Sequence, residues 1–385
     1  MPRPTSRRDF LTGRSAVDAL AELRTDLGPA LPAATVESPS RSWLVSITRE
    51  AMACEFEVLL NARQYPAGPD AAVAALDLVE QLESQLTIYR ETSEVSRLNA
   101  RAFAREVIVE AGLFGLLSQA KELFAATAGA LDITAGPLSQ IWGFHRRQGR
   151  MPSPDEVRQA LARVGCESLQ LGETTRGVRF LKEGMEINLG AIGKGFTLDR
   201  CADLLETAGI KDFLIHGGMS SVLARGSREG QANNPEMIED QVGEHTEAGT
   251  PPSPQSFSWS VGLRHPLRPD VRLAEFHLQN QALGTSGSGT QFFHHQGKRY
   301  GHILDPRTGW PAEQVLSATV IAPSAALADA LSTAFYVLGL EGAQTYCDEH
   351  PEISALLIQA AGSGTQVEMH PINLPDEVWR ILPIS

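Results

Sequence analysis

Cysteine is scarce in this chain and basic charge falls short of acidic charge, and each shortage excludes a class of protein. Only Cys54, Cys166, Cys201 and Cys347 are present, none in a CxxC pair. There is therefore no zinc or thioredoxin-like spacing and no disulfide framework, and isolated cysteines of this kind belong in a core. Lys plus Arg number 33 against 46 Asp plus Glu, a net charge of −13. That is the opposite of the basic footprint a nucleic-acid binder carries, so no nucleic-acid partner is expected. Long apolar runs are missing as well. Nothing approaches the roughly eighteen residues of a membrane helix, and the chain reads as not transmembrane.

What remains is 385 residues with 42% hydrophobic content, enough for one large domain or two of ordinary size. Near the start, Ser6-Arg7-Arg8-Asp9-Phe10-Leu11 resembles a twin-arginine export motif, but Asp18, Glu22, Arg24 and Asp26 interrupt the apolar stretch that should follow. Residues 1–40 are read as a poorly structured leader and 41–385 as the folded domain. A cytoplasmic location is favoured, with twin-arginine export to the periplasm as the alternative. Residues 226–256 are acidic, rich in Gly, Pro and Ser, and nearly devoid of large apolar residues. They cannot bury a core and are expected to form a mobile, disordered insertion.

Periodicity places the elements. In "RSWLVSITREAMACEFEVLLN", Cys54, Phe56 and Val58 alternate with glutamates, as in a half-buried strand. Val73, Leu76, Val79, Leu82 and Leu86 fall at helical spacing. A second helix should stop at Gly129, and a third should open on Ser153-Pro154 and close at Gly165. "ESLQLGE" and "GVRFLKEGMEINLG" read as a hairpin, "TLDRCADLLETAG" as a helix and "DFLIHGG" as a strand. "FSWSVGLRHP" and "RLAEFHLQNQALGTSG" read as paired strands, with the strand "LSATVIAP" and the helix "SAALADALSTAFYVLG" after them. Hairpin-linked strands with interspersed helices point to an α+β fold of mixed or antiparallel sheets flanked by helices.

Four stretches carry chemistry. "INLGAIGKGF" puts three glycines and Lys194 before a helix, which suits either an anion site or a tight turn with a surface lysine. It is no P-loop, because Asn188 stands where the first glycine is needed and Gly195 follows the lysine. Asp329 and Thr333 lie four apart on a helix, among apolar neighbours. They suit a hard cation with oxygen ligands, or a carboxylate bonded to a neighbouring loop. "LDITAGPLSQIWGF" offers Asp132, Thr134, Trp142 and Phe144, and "ALGTSGSGTQFF" a cluster of hydroxyl and backbone donors. In "HILDPRTGWP", Pro306 and Gly309 stiffen a turn with His302 at its mouth.

Taken in order, "TIYRETSEVSRLNA", "LDITAGPLSQIWGF", "INLGAIGKGFTLD", "IHGG", "GTSGSG", "RYGHILDPRTGWP" and "IAPSAALADALSTAFYVLG" resemble the successive signatures of the ApbE family, the FAD:protein FMN transferases. The resemblance runs from about residue 42 to the carboxyl end, outside the acidic insertion. It implies an ApbE-like fold and Mg²⁺-dependent transfer of FMN from FAD to a threonine hydroxyl of an acceptor protein, with release of AMP. The acceptor would be a redox or electron-transport protein. It further implies that the Ala191 backbone oxygen, Asp329 and Thr333 hold Mg²⁺. Met52, Tyr89, Ala130, Leu131, Asp132, Asn188, Lys194 and Ile303 would line the FAD. His302 would be the catalytic base, with Asp305 bracing its loop. The chain departs from the family pattern at Asn188, where Asp is usual, at "MACEF" in place of Met-Gly-Thr, and at His216, where Asn is common. Two other readings fit the same scaffold: an FAD pyrophosphatase giving FMN and AMP, and a non-catalytic flavin-binding protein.

Overall fold

The computed structural model describes residues 44–228 and 258–383, apart from 288, 290 and 363. The leader at 1–40 and all but the first three residues of the 226–256 segment lie outside the described residues. The expected first strand is two. β1 (Leu44–Ala51) and β2 (Cys54–Asn61) pair antiparallel, with Ala51 opposite Cys54, and Phe56, Val58 and Leu60 turn inward. Met52 and Ala53 between them have φ of 49° and 60°, the doubly left-handed geometry of a type I′ hairpin turn. Asn and Gly usually mark that turn, and neither is present.

α1 (Gly68–Leu86) buries Ala72, Ala75, Leu76, Val79, Leu82 and Leu86. Val73 is 42% exposed, because one residue beyond Ala72 rotates it about 100° off that stripe. α2 (Glu94–Arg101), β3 (Val107–Ile108) and α3 (Ala111–Ala126) follow. After α3, the Gly129 N–H closes on the Phe124 carbonyl at 2.8 Å with φ +77°. α4 (Gly136–Ile141) precedes α5 (Pro154–Leu161), whose Ser153 and Glu156 form a full capping box. β4 (Leu169–Gly172) and β5 (Gly177–Phe180) make the expected hairpin, with β3 on the other edge of β5. "GMEINLG" is not part of it. Asn99 takes both backbone groups of Ile187, at 2.8 and 2.9 Å, and the Asn188 N–H goes to Ile133. α6 (Gly193–Thr207) starts four residues earlier than its apolar pattern suggests.

β6 (Phe213–Gly217) and β7 (Ser221–Arg225) come next, then β8 (Trp259–Arg264), β9 (Arg272–Leu278) and β10 (Gln281–Gly287). The hairpin of β11 (Phe292–His295) and β12 (Lys298–Gly301) leads to β13 (Ser317–Ala322) and α7 (Ala325–Glu349). β14 (Ser354–Ala360), β15 (Val367–Ile372) and β16 (Trp379–Ile381) end the described chain. Eight strands form one sheet in the order β1-β2-β6-β7-β10-β13-β14-β15, with every neighbouring pair antiparallel. This is the expected α+β class. "RLAEFHLQNQALGTSG" divides at Asn280, φ 53°, which sends β9 into a second sheet, β16-β9-β8, and β10 into the large one.

One face of the large sheet packs on helices, where Phe56, Val58 and Val320 join Leu76, Leu198 and Phe335 in a single cluster. On the other face Val222, Leu283 and Leu356 meet Trp259, Leu263 and Phe276. α6 and α7 cap each other. Asp199 of α6 accepts the Ala325 and Ala326 N–H groups at 2.8 and 2.9 Å, and Asp329 of α7 accepts the Gly195 N–H at 2.7 Å. Each carboxylate thus satisfies orphan donors at the other helix's amino end. Glycine permits the approach: a Cβ on Gly195 would lie 2.0 Å from the Ala325 oxygen, and one on Gly284 would lie 2.4 Å from that of Ala328.

Gly284→Ala should therefore destabilise the fold by roughly 1–3 kcal/mol, since the obstructing atoms are backbone and cannot swing away. Chemical denaturation measures it, and a variant as stable as the parent would show that β10 and α7 do not touch this closely.

Candidate active site

The carboxyl ends of β6 and β10, the amino end of α6, Thr333 in the third turn of α7 and the loop after β12 converge on one cavity of about 1370 Å³. Ordinary small-molecule pockets span roughly 300–1,000 Å³, so this one has room for a dinucleotide-sized ligand. Its floor is polar. The Lys194 ammonium donates to the Ser220 hydroxyl, and Ser221 donates to Asp329 Oδ2 at 3.0 Å. Ser286 Oγ lies 3.0 Å from Thr333 Oγ1 and 2.9 Å from Ser332 Oγ.

Asp329 is buried, and burial pushes its carboxyl up to about 6, against the pull of the Lys194 charge and the bonds from Ser221 and Gly195. Both hydrogen bonds fall on Oδ2; among the described residues Oδ1 receives none. A costly carboxylate with a spare oxygen, one turn from the Thr333 hydroxyl, is the donor chemistry of a hard cation that keeps water and substrate phosphates as its other ligands. Among the described residues no three His, Cys, Asp or Glu gather into a metal cluster. Asp329 is buried and is not among the residues lining the cavity, but it sits one helical turn from Thr333, which does line it. The carboxylate, the Thr333 hydroxyl and the Ala191 carbonyl make an oxygen set that fits a hard cation such as Mg²⁺.

His302 also lines the cavity, partly buried, with Nδ1 3.1 Å from the Gln291 carbonyl. Burial holds the imidazole below its ordinary pKa; the Gln291 carbonyl opposes this and the Lys194 charge adds to it. Asp305 does not reach the cavity. Its carboxylate binds Arg307 three times, through the backbone N–H at 2.9 Å, Nε at 2.8 Å and Nη2 at 2.9 Å, so it braces the turn.

The cavity brings together Tyr89, Ala130, Leu131, Asp132, Asn188, Ala191, Lys194, His302, Ile303 and Thr333. Tyr89 is 71% exposed at the rim. Asp132 is spent on its own loop: it accepts from the Thr134 N–H and hydroxyl at 2.7 and 2.6 Å and from the Cys166 N–H at 3.2 Å. Burial raises its carboxyl above the usual range. Asn188 Oδ1 accepts the Gly190 N–H at 2.9 Å, an Asx turn that an aspartate would make equally well. Met52 stays outside the cavity lining, in the β1–β2 turn, with its sulfur 3.8 Å from Thr197 Oγ1. Trp142 is core, whereas Phe144 lines the cavity and meets His302 edge-on.

Several site residues escaped the sequence reading. Ser220 and Ser221 follow the Gly217-Gly218 pair in "IHGGMSS", and a hydroxyl pair after a double glycine was the only local signal. Gln291 had none, since its contacts are made across the fold. His216, on the cavity wall, is locked between Glu57 Oε2 at 2.6 Å and the Gly218 carbonyl at 3.0 Å.

With this geometry in place, likeness to known proteins becomes informative. A model of the ApbE family matches residues 52–357. A Treponema pallidum protein named FAD:protein FMN transferase is 31% identical over 312 residues, covering 78% of this chain and 81% of its own length. A Salmonella typhimurium protein of the same name is 30% identical over 319 residues, covering 79% and 83%. The crystal structure of an ApbE protein from Thermotoga maritima superposes with a TM-score of 0.70 at 26% identity, covering 86% of this chain and 97% of that one.

The Asp329 carboxyl makes a stability prediction whose sign follows from its direction of shift. Its folded value, about 6, lies above the roughly 3.9 of an unfolded aspartate. Its contribution is therefore fully present below about pH 4 and is lost as pH rises through about 6. In chelator near pH 7.5, Asp329→Asn should stabilise the protein by about 2 kcal/mol, because the amide oxygen can keep both hydrogen bonds without the buried charge. The gain should vanish near pH 4. Thermal unfolding at both pH values checks this, and an asparagine variant that melts lower at pH 7.5 would contradict the assigned burial cost.

Proposed function

The chain belongs to the ApbE family, and on that premise we propose its chemistry: it is an FAD:protein FMN transferase that moves FMN from FAD to a threonine hydroxyl of an acceptor protein, releases AMP and uses Mg²⁺. Supporting the reading are relatives of that name at about 30% identity over most of both chains. The observation that carries it is one cavity, lined by His302, Lys194 and Thr333 together, with room for a dinucleotide.

Each residue then has a part. The Asp329 carboxylate, the Thr333 hydroxyl and the Ala191 carbonyl would hold Mg²⁺, which when bound would offset charge on the pyrophosphate. Lys194, kept in place by Ser220, adds a fixed positive charge on the same floor. The 130–132 turn, Asn188 and Ile303 shape the walls around FAD, and Tyr89 offers a ring at the rim. His302 accepts the proton of the threonine hydroxyl as its oxygen attacks the FMN phosphorus. One phosphorus–oxygen bond forms to threonine, and the bond from that phosphorus to the oxygen bridging to AMP breaks, so AMP leaves with that oxygen. A base held neutral by burial is ready for this at physiological pH. The carrier of the threonine is a redox protein in this reading. Among the described residues no helix is long and apolar enough to cross a membrane.

The direct test is incubation with FAD, MgCl₂ and a threonine-bearing acceptor protein, followed by mass spectrometry. FMN attached to an acceptor threonine, with matching AMP, is expected. Free FMN plus AMP and an unmodified acceptor would identify a pyrophosphatase, and unconsumed FAD a binding protein.

His302→Ala should lower kcat by roughly two to four orders of magnitude, the usual range for a lost general base. The parent's rate should fall as pH drops through the imidazole pKa, at a midpoint below the ordinary value of about 6.5. A variant that keeps this acid limb would remove His302 from the proton transfer.

A further inference from the structure

The loop that carries His302 is tied down on both sides, and one tie falls on the imidazole itself. Upstream, the Gln291 carbonyl accepts the His302 backbone N–H at 3.2 Å and also faces Nδ1 at 3.1 Å. The Gln291 side chain donates from Nε2 to the Phe144 carbonyl at 2.8 Å. Downstream, the Trp142 indole N–H donates to the Gly309 carbonyl at 2.9 Å. Both ties lead to the same short segment, 142–144, whose Phe144 ring stands edge-on to the imidazole at 6.4 Å.

A carbonyl oxygen can only accept. Nδ1 must therefore carry the hydrogen of that bond, and a neutral imidazole so held keeps its lone pair on Nε2. We propose that Gln291 is a positioning residue of this site: by gripping Phe144, its side-chain amide holds its own carbonyl where it selects the Nδ1–H tautomer of His302 and leaves Nε2 as the proton acceptor.

The side chain matters because the sheets do not do this work. Among the described residues β11 pairs with β12 and the hairpin joins no other strand, so at its base the Gln291 carbonyl is held by one long backbone bond, from the His302 N–H at 3.2 Å, and by the side-chain tie to Phe144. Without the amide grip the Gln291 carbonyl keeps only that 3.2 Å backbone bond, and the imidazole gains access to the Nε2–H form, which has no lone pair to offer the substrate side. The same carbonyl also favours the product of the step. When the threonine proton arrives on Nε2, the ring becomes a cation whose Nδ1–H already points at the negative end of a fixed dipole. The inference rests on the base role proposed for His302, but the tautomer assignment does not depend on any activity.

Nitrogen-15 NMR of labelled protein reads the tautomer, with the His302 signal identified by its loss in His302→Gln. The parent should show a neutral ring protonated on Nδ1, and Gln291→Ala should shift the population towards Nε2–H. In turnover, Gln291→Ala should lower kcat by roughly 10- to 100-fold, the scale for losing a group that orients a catalytic imidazole, with KM for FAD unchanged within about twofold. Gln291→Glu keeps the shape but turns an acceptor towards the Phe144 carbonyl. It should be impaired like Gln291→Ala, with the loss falling on kcat. An Nε2–H ring in the parent overturns the proposal. So does a Gln291→Ala variant that keeps both the Nδ1–H signal and kcat, or one whose whole loss falls on KM. If the parent releases no FMN from FAD at all, the transferase reading fails while the spectrum still decides the role of Gln291.

Discussion

A buried carboxylate shared between two helices organises this site. Asp329 sits on α7 yet caps α6, taking the Gly195 N–H, and Asp199 on α6 returns the favour at the start of α7. Burying Asp329 is costly, as its raised carboxyl pKa records. Three things make the arrangement tenable: the Ser221 hydroxyl, the Lys194 charge, and glycines at 195 and 284 that let backbone approach backbone. The outcome is that the "GAIGKG" turn, Ser220 and Thr333 all face one cavity. A carboxylate kept at this cost with one oxygen unused is better accounted for by a ligand than by packing.

The wall that carries His302 is built on another principle. There the constraint is rigidity: Asp305 and Arg307 lock the turn, Trp142 holds its far end, and Gln291 holds its near end. Four aromatic rings, Trp142 and Phe144 with Phe293 and Tyr300 of the β11–β12 hairpin, pack against one another on this wall. His302 thus sits partly buried on a stiff, apolar mount. That burial holds the imidazole below its ordinary pKa, while in the proposed function the Asp329 carboxylate would take a cation.

Much of this was legible in the sequence, for physical reasons that differ by residue. The α1 stripe and the Ser153 capping box are local, and local rules find them. The pairing of Asp329 with Thr333 follows from helical spacing, and the blocked P-loop reading followed from Asn188 and Gly195 alone. The β1–β2 turn at Met52-Ala53 was invisible, because its left-handed backbone is imposed by the strands and not signalled by Asn or Gly. "GMEINLG" has a strand's composition, but Asn99 claims the backbone groups of Ile187 first. Gln291 and the Ser220–Ser221 pair act only through partners distant in sequence. Asp132 was expected to line the FAD and Asp305 to brace the His302 loop; both carboxylates are engaged by bonds that shape their turns.

The central claim is that Asp329 makes the cavity floor a cation site that serves the FAD pyrophosphate. Flavin fluorescence titrations of FAD, with and without Mg²⁺, test it most directly when the parent is set beside Asp329→Asn. Coupling between the two ligands should raise the FAD affinity of the parent by about tenfold or more when Mg²⁺ is present, within the ordinary range of linked binding, and should be absent in the asparagine variant. Equal coupling in both proteins would contradict the account, because the cation would then be held by groups other than the carboxylate around which the two helices are joined.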